Sequence, residues 1–210
     1  MAIEPLSVET SDGLVLEGQL STPDDPWAAV VLAHPHPQFG GDMHSIVTGT
    51  LFSALAEAGV VALRFNFRGV GHSQGALDEG RGERRDVAAA VDTLGRITEG
   101  LPLVVSGWSF GGDVSLAVDD PHLTGWAAVA PPLRIVDPSE MVAPTDPRPK
   151  LVVLAAHDQF RPAREAGQIV AGWPNTQVTI VEGADHFFVG RTERVSEVVL
   201  GWMRSLAQPA

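Results

Sequence analysis

Three residues of this chain have the types and surroundings that nucleophilic attack on an acyl carbon requires. Ser109 sits in Gly107-Trp108-Ser109-Phe110-Gly111, at the end of an apolar run that begins at Leu101 and just ahead of Asp113-Val-Ser-Leu-Ala-Val118. A strand that turns at once into a helix forces its apex residue into strained dihedrals, and the flanking glycines let the two backbones pass. Such an apex lifts the serine hydroxyl clear of the sheet and aims a helix N-terminus at the reaction centre. A serine hydroxyl is nevertheless a poor nucleophile at neutral pH, and it needs a base within hydrogen-bond reach that is itself oriented by a third group. His186 and Asp158 are the expected base and acid, because each closely follows a strand-like run, 176–181 and 150–155. In an open α/β sheet the reactive crevice lies at the carboxyl ends of the strands.

Each of these residues has competitors. A second Gly-x-Ser-x-Gly occurs at Gly71-His-Ser-Gln-Gly75, but Gly69, Val70 and Gly71 separate it from the preceding strand and 75–82 does not read as a helix. Ser73 is therefore expected in a structural turn. For the acid, Asp137 follows an earlier strand, while Asp185 adjoins the histidine and would struggle to fold back onto its ring; Asp158 is preferred to both. His34 and His36 have strand-like spacing, yet two ligands with prolines between them and only Asp42 nearby are too few for a metal, so none is expected. The aromatic residues beside these positions, Phe39, Trp108, Phe160, Phe187 and Phe188, could line an apolar acyl or alcohol pocket.

The elements that must position these groups alternate along the chain. Residues 5–10 and 14–21 flank Ser11-Asp12-Gly13 and read as an antiparallel hairpin. Residues 28–33 form an uninterrupted apolar run, the pattern of a strand covered on both faces. A helix follows over about 44–58, with Ile46, Leu51, Leu55 and Ala58 on its inner face, then a strand at 60–67 and a helix at about 83–97. Strands at 102–107, 125–130, 150–155 and 176–181 alternate with helices starting at 110 and about 162, and a helix over about 191–206 closes the chain. Eight strands in this arrangement predict an α/β fold, a mostly parallel sheet with helices on both faces and the hairpin at one edge. At 210 residues with 44% apolar content the chain fits one domain, 1–210.

Composition narrows the partners. A formal net charge of −12, from 26 acidic and 14 basic residues, repels nucleic acid and anionic membranes. The cluster of Arg81, Arg84 and Arg85 is interrupted by Glu79 and Glu83 and reads as the solvated first turns of a helix. There is no cysteine, which removes disulfides, thiolate metal sites and a cysteine nucleophile. The N-terminal residues lack the basic start and apolar core of a signal peptide, and no apolar run reaches membrane-spanning length, so a cytoplasmic location is expected.

Taken with its strand before and helix after, the Ser109 segment is a nucleophile elbow and resembles that of the α/β-hydrolase superfamily. The order Ser109, Asp158, His186 is the superfamily's order, the loops carrying Asp158 and His186 resemble its acid and histidine loops, and Arg161-Pro162 is similar to the turn that opens its next helix. The resemblance implies an oxyanion hole built from the Phe110 N–H and a second N–H in the loop after the first buried parallel strand. That loop reads His34-Pro35-His36-Pro37, similar to a subgroup of small bacterial hydrolases. Prolines have no N–H, so the second donor would be His36 or, failing it, Gln38. Many relatives insert a lid between the strands here flanking 131–149; this stretch, with six prolines, has room for a short helix around 139–142 and a loop, implying a minimal cap or none. The implied function is hydrolysis of a small-molecule ester or thioester through an acyl-enzyme without a cofactor, with amide or small-peptide hydrolysis as the alternative on the same residues. A catalytically silent binding protein is a further alternative, against which the intact set of serine, acid and histidine argues.

Overall fold

The computed structural model describes residues 2–207. Eight strands form one sheet: β1 (Ile3–Glu9), β2 (Val15–Ser21), β3 (Ala28–Ala33), β4 (Val60–Phe65), β5 (Leu103–Trp108), β6 (Leu123–Val129), β7 (Lys150–Ala155) and β8 (Thr176–Val181), in the order β1-β2-β4-β3-β5-β6-β7-β8. β1 with β2 and β2 with β4 pair antiparallel, and the remaining neighbours pair parallel. Among the described residues four helices connect strands, α1 (Ile46–Glu57), α2 (Arg81–Ile97), α3 (Phe110–Leu116) and α4 (Ala163–Val170), and α5 (Thr192–Ala207) follows β8.

The continuous apolar runs are explained by burial on both faces. Along β3, Ala29, Val31 and Ala33 join a core formed with α2, α3 and α4, while Ala28, Val30 and Leu32 join a second core formed with α1 and α5. Pro5 is tolerated because β1 is an edge strand, where a missing N–H costs no ladder bond.

Sheet order sets the place of the site. The chain leaves β3 for β4 on one side and then returns for β5 on the other, so the order reverses between β3 and β5. Loops diverge above their carboxyl ends, and that opening is where ligands sit in sheets of this kind. The register pairs Ala33 with Gly107, which brings the loop after β3 alongside the residues that follow β5.

Two expectations are corrected. Ile46 is 48% exposed and Ala58 is only partly buried; the inner face of α1 is Val47, Leu51, Phe52, Leu55 and Ala56. The helix begins at Ile46, so this residue occupies its first turn, ahead of the first buried position at Val47. The stretch 131–149 carries a single 3₁₀ turn, Pro138–Glu140, in place of a short helix around 139–142. The arginines of α2 are engaged: Arg81 with Asp78, Arg84 with Glu140 and Arg85 with Asp12.

One buried ion pair ties the hairpin, the loop after β4 and α2 together. Arg68 reaches Asp86 at 2.7 Å and Asp12 at 3.0 Å, and its backbone N–H also donates to Asp86. The guanidinium beside it holds the Asp12 carboxyl far below the usual carboxylate range. That share of stability is present above the ordinary carboxylate pKa and fades as pH falls through the depressed one. Asp86 is fully buried and gives the nearly buried Arg68 its shorter contact, so removing it leaves only the partly solvated Asp12 against the charge. Asp86→Ala should cost about 3–5 kcal/mol in denaturant unfolding, and Asp12→Ala clearly less because Asp12 is partly solvated. An Asp86→Ala protein within about 1 kcal/mol of wild type would contradict this account of the pair.

Candidate active site

Ser109 stands at the abrupt end of β5 with φ 55° and ψ −118°, a conformation few residues other than glycine adopt. Its surroundings hold it there. The Ser109 N–H donates to the Val129 carbonyl at 2.8 Å, and its own carbonyl accepts from Gly112 and Asp113 in the first turn of α3. A Cβ on Gly107 would strike the backbone of Gly111, and one on Gly111 would strike the carbonyls of Ala33 and His34. Only glycine at both positions lets strand, helix and the loop after β3 approach this closely.

The serine hydroxyl faces the base. Ser109 Oγ lies 2.9 Å from His186 Nε2, and His186 Nδ1 lies 2.7 Å from Asp158 Oδ2. The other carboxylate oxygen of Asp158 accepts the N–H groups of Phe160 at 2.8 Å and Arg161 at 3.0 Å. Burial would raise the Asp158 pKa, but the hydrogen bond from the His186 ring and these N–H groups outweigh it and hold the acid below its ordinary value. An ionised carboxylate only accepts, so Nδ1 must carry the imidazole proton and Nε2 is left with a lone pair toward the serine. The imidazole is held further by the Trp108 Nε1–H, which donates to the His186 carbonyl at 3.1 Å, and by the edge of Phe160, 4.7 Å between ring centres.

The alternatives fall elsewhere. Ser73 is buried, with its hydroxyl donating to the Asn66 carbonyl at 2.7 Å and accepting the Glu17 N–H at 2.9 Å. Asp137 is exposed and caps the 3₁₀ turn through Ser139, and Asp185 accepts the N–H of Phe187. His34 is buried with both ring nitrogens engaged, Nδ1 against the Pro35 carbonyl at 2.7 Å and Nε2 against the Phe67 N–H at 3.0 Å. Burial lowers its pKa to about 4, which keeps it neutral and structural. Among the described residues no group of three histidine, aspartate or glutamate side chains could hold a metal ion.

Above Ser109, the backbone N–H groups of His36 and Phe110 are taken up by no other group among the described residues. The N–H of Gln38 is different: it donates to the His36 ring at 3.2 Å. A cavity of about 430 Å³ opens over the serine, and Phe39, Trp108, Phe160 and Phe187 all line it. Phe188 does not; it is fully buried in the core beneath α5, because its positive φ turns it opposite to Phe187. Sequence reasoning missed Pro132, Arg134, Ile135 and Ile46, which complete the wall. The first three follow the carboxyl end of β6, the same edge as every other site loop, and that placement was the available signal.

The family model described as serine aminopeptidase, S33, matches residues 24–157. The chain belongs to this family. The matched segment takes in the loop after β3 and the Ser109 elbow and stops one residue short of Asp158, so the acid and the histidine rest on the geometry above. A relative in Rickettsia prowazekii, the uncharacterised protein RP471, is 32% identical over 196 residues, covering 88% of this chain and 82% of that one. An α/β serine hydrolase homologue from Coxiella burnetii superposes with a TM-score of 0.85 at 30% identity, over 96% of this chain and 97% of that one. XC6422 from Xanthomonas campestris, described as an α/β serine hydrolase without a lid, gives 0.83 at 25% identity over 100% and 97%. The fold is thus the α/β-hydrolase fold without a lid, and the protein is a hydrolase of that superfamily. No helix among the described residues is long and apolar enough to cross a membrane.

Proposed function

We propose that this chain is a serine hydrolase of carboxylic esters or thioesters, with Ser109 as nucleophile, His186 as base and Asp158 as its orienting acid. The observation that carries the reading is the continuous hydrogen-bond line from Asp158 through His186 to a strained, lifted Ser109. As Ser109 Oγ bonds to the substrate carbonyl carbon, its proton passes to His186 Nε2, and Asp158 stabilises the imidazolium that forms. The negative oxygen of the tetrahedral intermediate is received by the N–H groups of Phe110 and His36, worth several kcal/mol in such a site. Collapse expels the alkoxide or thiolate, which takes the proton from Nε2, and water then repeats the sequence on the acyl-enzyme. The His34-Pro35-His36-Pro37 loop that supplies one donor is the mark of the small bacterial subgroup to which we assign the chain. Residues 2–207, joined in one sheet, would act as a single catalytic domain.

The family's description favours a second reading, removal of an N-terminal amino acid from a peptide. A substrate for that reaction carries an ammonium group beside the scissile carbonyl, and a site that selects it should hold a carboxylate in its wall. Among the described residues the cavity wall contains no aspartate or glutamate, and its one formally charged side chain is a cation, Arg134. Ester chemistry is therefore preferred for this chain. In a test, a fluorophosphonate should label Ser109, and short-chain 4-nitrophenyl esters should turn over at least tenfold faster than aminoacyl 4-nitroanilides, measured as kcat/KM. Rapid anilide hydrolysis with weak esterase activity would reverse the assignment. Failure of labelling in folded protein would remove the nucleophile.

A further inference from the structure

We infer that Arg134 reads an anionic group, a carboxylate or a phosphate-like group, on the acyl part of the substrate; this rests on the serine-hydrolase reading. The cavity is lined mainly by Pro35, Phe39, Ile46, Trp108, Ile135 and Phe160 and other apolar or small residues, so a charge in its wall is conspicuous. Among the described residues the Arg134 guanidinium has neither an ion pair nor a side-chain hydrogen bond. Acidic residues outnumber basic ones 26 to 14, and other arginines, such as Arg84, Arg148 and Arg161, do meet a carboxylate. An arginine left without a partner at the mouth of an apolar cavity is equipped for bidentate capture of a carboxylate or phosphate.

Its position is fixed from below. Asp113, fully buried in the first turn of α3, accepts three successive backbone N–H groups: Leu133 at 2.7 Å, Arg134 at 2.9 Å and Ile135 at 2.8 Å. The clamp bends the chain sharply enough that Leu133 takes φ 54°. Asp113 lies one helical turn beyond Ser109, so the same short helix that starts at the nucleophile also anchors the loop bearing Arg134. Asp113 is thus a positioning residue and Arg134 the contact.

The leaving group must lie by His186 Nε2 to take its proton, in the company of Phe160 and Phe187. On this inference the acyl chain lies along the wall formed by Pro132, Arg134 and Ile135, which opens on the same cavity as Ser109.

The test compares three 4-nitrophenyl esters of equal chain length: hexanoate, hydrogen adipate and 5-phosphonopentanoate, each corrected for spontaneous hydrolysis. Wild-type kcat/KM should favour at least one anionic ester by about tenfold, the worth of one partly solvated charge-assisted hydrogen bond, with the gain mainly in KM because the contact is remote from the reacting carbon. Which anion gains identifies a carboxylate or a phosphate as the group read. Arg134→Gln should bring the anionic-to-neutral ratio to about one, Arg134→Lys should keep part of it, and added salt should shrink it in the wild type. Fluorophosphonate labelling of Ser109 in each variant shows that the fold and the nucleophile remain. If no ester is hydrolysed, the serine-hydrolase reading itself fails. If hexanoate is turned over as well as both anionic esters, or the preference survives Arg134→Gln in labelled protein, Arg134 is a solvated surface residue and the inference is overturned.

Discussion

Ser109→Ala should lower kcat for 4-nitrophenyl butyrate by on the order of 10⁶, while Ser73→Ala should leave it within a few-fold of wild type. Both serines lie in a Gly-x-Ser-x-Gly segment, so the contrast isolates what the surroundings contribute. Ser109 is lifted by a φ of 55° to within 2.9 Å of a histidine nitrogen. Ser73 spends its hydroxyl on the Asn66 carbonyl and the Glu17 N–H, and among the described residues no histidine or carboxylate is hydrogen-bonded to it. Its loss leaves the Glu17 N–H without that acceptor and should cost about 1–3 kcal/mol of stability, seen in denaturant unfolding rather than in turnover. Because the oxyanion donors survive in Ser109→Ala, a residual rate above that of water is expected. Equal loss of activity in both variants, with both proteins folded, would remove Ser109 from its role.

The contrast also marks how far the sequence could be read. The alternation of buried strands with helices was legible because each strand of the parallel core is apolar on both faces, and a run such as 28–33 has no other comfortable place. Ser109 and Asp158 were legible because each closely follows such a run, and His186 because it lies in the loop after the strand-like run 176–181, which places all three on one edge of the sheet whatever the strand order. Strand order itself was not written locally. Only the reversal between β3 and β5 brings the loop after β3 against the elbow, and with it the free N–H of His36. The preference for His36 over Gln38 as a proposed donor rests on a single hydrogen bond, from the Gln38 N–H to the His36 ring, that no spacing encodes. Phe187 and Phe188 differ more sharply still: adjacent and identical in type, one faces the cavity and the other the core, because Phe188 takes φ 52°. Arg134 was hidden for a similar reason. Its placement depends on a carboxylate from another element, Asp113, clamping three consecutive N–H groups.

The acid offers the second large effect. Asp158→Asn should keep the fold and lower kcat by about 10⁴. The two oxygens of Asp158 have separate duties, Oδ1 accepting the Phe160 and Arg161 N–H groups and Oδ2 accepting the proton-bearing Nδ1 of His186. An asparagine would keep its carbonyl oxygen where the two N–H groups are and turn its NH₂ toward the ring. Nδ1 must then accept, the ring proton moves to Nε2, and the nitrogen facing Ser109 can no longer take a proton from it. The loss is one of tautomer rather than of binding, so KM should change little and the rate of fluorophosphonate labelling should fall together with kcat. Asp137→Asn and Asp185→Asn should cost less than threefold, since the first residue caps an exposed 3₁₀ turn and the second holds a neighbouring N–H. Because hydrogen bonds keep the Asp158 pKa below its ordinary value, the charge that orients the ring persists into mildly acidic solution and is lost only as pH falls through that depressed value. A loss of activity in mildly acidic solution, in folded wild-type protein, is therefore expected to come from a group other than Asp158. Asp158→Asn retaining more than a tenth of the wild-type turnover, or Asp137→Asn matching its loss, would assign the orienting role to another carboxylate while leaving nucleophile and base in place.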